Sequence, residues 1–425
     1  MKKNFKLFAV SAAVLLTAGA LASCGEGGSG PSEGGSGPSF TDEYSGKLTY
    51  SGPESQEKWV RQVAADYNAE RKAQGIPEIK FEFVQHGEDK VDSEVTDWST
   101  GPDVYAFASD KVMNLFQAGA LATISGIYKD SINNTMTDAA IEASQFAGRT
   151  VSYPYAGDNG YFLFYNKSLV TAEDCATIEG LMNKAASLEM GVAYPLNTAF
   201  YSAGALFTYG AGYDINVDDS GKVQSIEATF NTAEGLKAGK AIYQIMKHSA
   251  YVETQAAPIA ANKLVACIDG SWNVSAYQTA MGADFACMKL PTVTVDGETK
   301  NLSSYLGYKM LGVNPLVSAG DTQRLLAAHN FARYLSSKEV QEKRFDTFGI
   351  APTNKEVSAL EKVTSSAAIK AIGDQAKYAV PQTAVPGNIW SAPQVFTQGI
   401  IDGTITLENM EAALETLNAS IEASK

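Results

Sequence analysis

Basic residues are scarce in this chain and histidine is scarcer. Against 47 Asp and Glu stand 33 Lys and Arg, a formal net charge of -14, with only three histidines in 425 residues. No block of Lys or Arg occurs beyond the first six residues, so no nucleic-acid partner is expected. The four cysteines form no CxxC pair, and His86, His248 and His329 are too dispersed for zinc spacings or an HExxH helix. Neither a metal nor any other cofactor is therefore expected. Also missing are a GxSxG elbow, a GxxxxGK[ST] phosphate loop and a cysteine with a nearby histidine, which removes hydrolases and NTPases that work by those routes. A carboxylate-pair glycosidase leaves no fixed spacing and stays open. What the chain does have is 45% hydrophobic and 10% aromatic side chains, too many for disorder and enough for two or three domains.

Lys2, Lys3 and Lys6 precede an apolar run over residues 7–22, shorter than the roughly 20 residues a membrane span needs, so residues 1–23 read as a signal peptide. The run ends Leu21-Ala22-Ser23-Cys24, which resembles the bacterial lipobox. That resemblance implies cleavage before Cys24, lipidation of Cys24, and an exported protein anchored to the bacterial cell membrane and facing outside the cytoplasm. Residues 24–46 form the tether: Glu26-Gly-Gly-Ser-Gly-Pro-Ser32 repeats as residues 33–39, a flexible linker reaching roughly 20 Å. Gly25, Gly27 and Gly30 match GxGxxG only through low complexity, with no strand before or helix after them.

Beyond the tether, strand and helix patterns alternate. Residues 47–51, 79–83, 103–108, 150–155, 161–165, 263–268, 284–290 and 309–313 read as strands. Helical spacing marks residues 54–74, a segment stopped at Gly119, residues near 174–189, 202–210, 232–247, 321–335 and 338–346, and a last stripe of Leu407, Met410, Leu414, Leu417 and Ile421. This order predicts an α/β class with mostly parallel sheets flanked by helices. Asp214, Asn216 and Asp218 imitate a calcium loop, but Asp219 and Ser225 stand where it needs Gly and Glu, so the segment is expected to be a polar hairpin or connecting loop. Cys267 and Cys287, in two apolar strands, are expected to be free thiols, with Cys175 single either way.

Gly101-Pro102-Asp103 before an apolar strand, Asp110-Lys111, and Gln117-Ala-Gly-Ala-Leu121 resemble the extracellular solute-binding proteins of ABC importers, of the maltose and maltodextrin type. Further landmarks follow in the same order: Gly148 to Pro154, Leu163-Phe-Tyr-Asn-Lys167, Asp269-Gly-Ser-Trp272, Leu290-Pro291, Gly307 to Pro315, and Pro381 followed by Trp390. The resemblance implies a two-lobe periplasmic-binding-protein-like fold with a hinge: lobe 1 from residues 47–156 and 306–352, lobe 2 from 157–305 and 353–425. Chain crossings are expected near residues 156–160, 302–307 and 351–354, with Gly157, Gly160 and Gly307 as pivots. The resemblance further implies a monomer that binds an oligosaccharide, with maltose or maltodextrin as first candidate, and delivers it to membrane permease subunits without catalysis.

A sugar needs aromatic platforms for its C–H faces and short polar or carboxylate groups for its hydroxyls. By resemblance, Trp272 and Trp390 are platforms and Phe107 stands where a third aromatic lies, so that rings from both halves grip the ligand on closure. Tyr201 falls near a cleft tyrosine. Asp110 and Lys111 match an acid-base pair, with Lys in place of Arg, and Asp158 or Asn159 matches a carboxylate position. In Asn197-Thr-Ala-Phe-Tyr201 a further cleft acid is missing, which counts against maltose itself. A surface glycoside hydrolase and a two-lobe receptor for a non-sugar solute are the alternatives.

Overall fold

The computed structural model describes residues 42–253 and 263–424. The signal segment, Cys24 and the linker up to residue 41 lie outside the described residues, whereas residues 42–46, expected as the end of the tether, belong to the folded part, with Asp42 buried in an ion pair with Arg71. Among those described, ten strands make one curled sheet: β1 (Lys47–Gly52), β2 (Lys80–Gln85), β3 (Val104–Ala108), β4 (Tyr153–Asn166), β5 (Gly191–Ala193), β6 (Tyr251–Val252), β7 (Leu264–Gly270), β8 (Phe285–Met288), β9 (Ser304–Val313) and β10 (Ala379–Pro381). The order is β6-β5-β7-β4-β9-β3-β1-β2, with β8 also on β4 and β10 on β9. Parallel pairing, as expected from the alternation, holds at the outer strands β2-β1-β3 and β6-β5-β7. The centre is antiparallel, where β7-β4, β4-β9 and β9-β3 meet.

The centre is where the sequence reading needs revision. Residues 150–155 and 161–165 were expected to be two strands, yet 153–166 is a single strand of 14 residues, about 45 Å at 3.3 Å per residue. Its first part pairs with β9 and its last part with β7 and β8. Strand β9 runs alongside, pairing with β3 over residues 309–313 and with β10 over 304–306. Two long strands thus cross side by side between two hydrophobic cores. One core gathers Leu48, Val60, Tyr67, Tyr153, Leu311 and Phe331, and the other Leu163, Leu181, Tyr194, Ile242, Ile268 and Leu414.

At the crossing close approach favours glycine, because a larger residue would push neighbouring side-chain ends aside. A Cβ on Gly307 would lie 2.8 Å from Ser109 Oγ and 2.9 Å from Gln382 Oε1, and one on Gly160 2.9 Å from Leu306 Cδ1. Neither position has the left-handed backbone that would demand glycine for its torsions.

Helices pack on the sheet largely where the 3.6-residue periodicity placed them, including α1 (Glu54–Ala73) with Val60, Val63, Ala64 and Tyr67 buried. α2 (Val112–Gln117) ends at Gly119, which takes φ 69 while the next amide, Ala120 N, bonds Leu115 O at 2.9 Å. The last helix, Met410–Glu422, buries Met410, Leu414, Leu417 and Ile421, whereas Leu407 precedes it and is exposed. Tyr213–Val217 and Val223–Ala228 form a hairpin whose turn uses the Asp218 carboxylate to accept from the Ser220 and Lys222 amides. Cys267 and Cys287 both stand opposite Phe164, on opposite sides of β4. That puts them about 9.5 Å apart across two strand spacings, beyond the roughly 7 Å limit for a bridge.

Candidate functional site

Carboxyl ends of strands, where a crevice opens in an α/β sheet, carry loops free to hold a ligand. Here the segments after β1, β2, β3 and β7 converge with the middle of β4 and β9 on a cleft of about 620 Å³. Its two walls differ in chemistry.

One wall is aromatic. Phe200, near the start of a helix (Ala199–Leu206), lies 6.0 Å from the Trp272 ring and 6.4 Å from the Trp390 ring, centroid to centroid. Tyr305 backs Phe200 at 6.1 Å and Trp390 at 5.6 Å. Trp272 is 48% exposed although it is an indole, while Phe200 and Trp390 are half-buried. Tyr201, one residue on and about 100° round the helix, turns inward. It is 5% exposed, and its hydroxyl donates to Asp269 Oδ1 at 3.0 Å. Asp269 also accepts from Tyr277 Oη at 2.8 Å, Asn273 Nδ2 at 2.9 Å and the Gly270 amide at 2.7 Å. This saturated carboxylate anchors the turn Ser271–Asn273 that presents Trp272.

The facing wall is ionic. Asp110 and Lys111 lie in the 3-10 turn Ser109–Lys111 that follows β3 and pair at 3.3 Å. Asp110 makes no helix-cap bond. Burial pushes its carboxyl up to about 6, with Lys111 and Lys309 pulling the other way. Lys111 Nζ is 5.9 Å from the Trp390 ring centre and Lys309 Nζ 6.0 Å from that of Trp272. Glu88, after β2, pairs with Lys309 at 3.0 Å and accepts from Tyr155 Oη at 2.6 Å. Burial alone would raise the Glu88 carboxyl, but Lys309, Arg344 and the Tyr155 hydroxyl hold it below its usual range. On the floor, Asn159 Nδ2 donates to Gln382 Oε1 at 2.8 Å.

Of the residues singled out from sequence, Asp110, Lys111, Asn159, Tyr201, Trp272 and Trp390 line this cleft. Phe107 does not. It shares a strand face with Tyr105, is 0% exposed, and packs with Tyr105, Leu115 and Met310 in a separate core, so the rings on the cleft come from one wall and not from both halves. Asp158 alternates away from Asn159 along β4 and sits behind the cleft, 6% exposed, its Oδ1 without a hydrogen-bond partner among the described residues and its carboxyl raised by burial. Sequence reading missed Phe200, Glu88, Lys309 and Gln382. A signal existed for Lys309, a lone charge inside an apolar strand.

A family model for bacterial extracellular solute-binding proteins matches residues 62–371. A maltotriose-binding protein of Pyrococcus abyssi is 24% identical over 311 residues, 71% of this chain, and the match spans 65% of that relative's length. Among solved structures, the unliganded maltodextrin-binding protein MalE1 of L. casei superposes with a TM-score of 0.77 at 22% identity, covering 89% of this chain and 99% of that one. The GacH receptor of Streptomyces glaucescens, solved unliganded and with acarbose, gives 0.73 at 18%, covering 90% and 100%. Both share the two-lobe fold. With the family model spanning most of its length and the cleft at its strand ends, the chain belongs to the bacterial extracellular solute-binding proteins.

Proposed function

We propose that this protein captures an oligosaccharide, with a maltodextrin as first candidate, in the cleft between its lobes and passes it unchanged to the permease of a membrane ABC importer. The observation that carries this reading is the pairing of a continuous aromatic wall with a facing wall of ion pairs. Pyranose C–H faces lie against indole and phenyl rings, while rim hydroxyls both donate and accept, as Asp110 and Lys111 require. The names of the relatives agree. Of the four carboxylates that line the cleft, those of Glu88, Asp110 and Asp269 already hold protein partners and only that of Asp89 is left without one among the described residues, which supports binding over hydrolysis by a carboxylate pair. Among the described residues no arginine lines the cleft and both its lysines are paired with acids, which supports a sugar over a phosphorylated solute.

The lobes divide at the β4 and β9 crossing, with residues 47–156 and 306–352 on one side and 157–305 with 353–425 on the other, except that residues 353–362 stay bonded to the first lobe, Thr353 and Asn354 through Gln341 and Lys362 through Glu342 and Asp346. Lipidation at Cys24, supported by the sequence around it, holds the monomer at the membrane. Calorimetric titration with maltotriose tests the reading: saturable binding is expected, with no shorter sugars after prolonged incubation. Absence of binding across maltose to maltotetraose refutes the maltodextrin assignment, and release of shorter products refutes transport.

A further inference from the structure

The least expected group in the cleft is Lys309. It sits on β9 between Ala108 of β3 and Ala156 of β4, two small neighbours that leave room for its stem. Its side chain is only 15% exposed, and burying an ammonium is costly unless something holds it. Glu88 does so at 3.0 Å. Glu88 is itself fixed, 11% exposed, by the Tyr155 hydroxyl on its other oxygen and by the bond from Ala108 N to its own carbonyl at 2.8 Å. An ammonium carries three N–H donors, and Glu88 is the one ion-pair partner Lys309 shows among the described residues. The others are free to point into the cleft beside the most exposed indole, 6.0 Å from its centre.

Resting on the saccharide reading above, we propose that Lys309, positioned by Glu88, determines specificity at the Trp272 end of the cleft. Its ammonium donates to a hydroxyl of the sugar unit stacked on Trp272 and rejects a unit bearing a positive charge there. That end therefore takes neutral or acidic sugars and discriminates against amino sugars.

Calorimetry on the whole protein with maltotriose, and with maltotriose analogues each lacking one hydroxyl, tests this. A charge-assisted bond predicts at least tenfold weaker binding for Lys309→Met and partial recovery for Lys309→Arg. One deoxy analogue should bind the wild type about tenfold more weakly than maltotriose, yet show no such penalty on Lys309→Met. A maltotriose analogue with an amino group at that position should bind Lys309→Met more tightly than the wild type. Because Lys309→Met leaves Glu88 unpaired, the Glu88→Gln/Lys309→Met double variant is measured too, with its melting temperature as a folding control. The proposal falls if both variants stay within twofold of the wild type, or if every deoxy penalty persists in them. Trp272→Ala separates the two claims: weakening there without weakening at Lys309 overturns only the specificity proposal, whereas failure of maltotriose to bind the wild type removes both.

Discussion

Replacing Trp272 with alanine separates a ligand platform from a core residue, because the two roles predict opposite outcomes. The indole is 48% exposed and touches the protein through Phe200 and the backbone of Gly270, over which it lies, with Lys309 near its ring. Little buried area is lost on truncation, so the unliganded protein should lose about 1 kcal/mol or less, a shift of a few degrees at most in melting temperature. A pyranose face resting on the ring would remove roughly 100 Å² of apolar surface from water across both partners, worth about 2.5 kcal/mol at 25 cal/mol/Å². That corresponds to a loss in affinity of about 70-fold. Trp390, half-buried against Tyr305 and Phe200, should show a similar loss in affinity with a larger cost in stability, about 2 kcal/mol. Calorimetry with maltotriose measures the first quantity and scanning calorimetry of the free protein the second. If Trp272→Ala binds within twofold of the wild type, the aromatic wall is not a platform. A large fall in melting temperature instead would mean that the indole is structural.

Other consequences are checked as directly. Burial puts the Asp110 carboxyl near 6 in the free protein, so if the ionised form accepts from sugar hydroxyls, affinity should fall as pH drops from 7 to 5. Asp110→Asn should bind more weakly at pH 7 with a flatter profile, and an unchanged profile would exclude Asp110. His329, bonded to the Tyr153 hydroxyl at 2.8 Å, is held down to about 4 by burial, so its contribution to stability is present above pH 6.5 and lost as pH falls through 4. Urea midpoints should reveal a loss of up to about 3 kcal/mol over that window, and His329→Gln should reduce it. Arg71 is fully buried and bonds both oxygens of Asp42, at 2.9 and 2.8 Å, plus the Tyr44 and Pro77 carbonyls, so Arg71→Met should cost about 3–5 kcal/mol in urea unfolding. A cost under 1 kcal/mol would show that Asp42 tolerates exposure to water. Cys267 and Cys287 should remain free thiols, with reductant leaving the melting temperature unchanged.

How much of this was legible in the sequence depends on the range of the interactions involved. Helices such as Ala233–Lys247 and the outer parallel strands follow from local periodicity, and they lie where the pattern put them. The 14-residue strand β4 was not legible, because Gly157 and Gly160 read locally as a turn. Only the approach of β9, from about 150 residues away, keeps them extended. Phe107 was misplaced for a different reason. Both faces of β3 are covered, so its apolar alternation cannot tell core from cleft, and the order of landmarks was a poorer guide than the face shared with Tyr105. Phe200 had no expected role and Tyr201 was read as the cleft tyrosine; both line the cleft, but a helix start turns neighbours by about 100°, so that the Tyr201 hydroxyl is drawn inward to Asp269, 68 residues on, and the Phe200 ring joins the aromatic wall.

Yet the site left a local trace. Asp110, Asp158, Asp269 and Lys309 each interrupt or end an apolar stretch of sheet, and a charge set into such a stretch needs a partner. Where the partner is a neighbour in sequence, as Lys111 is for Asp110, the pair could be read directly. Where it comes from another element, as Glu88 does for Lys309, the sequence marks the position but not what answers it. A lone charge in a buried strand therefore shows that a cleft or an ion pair is near, and only the fold decides which.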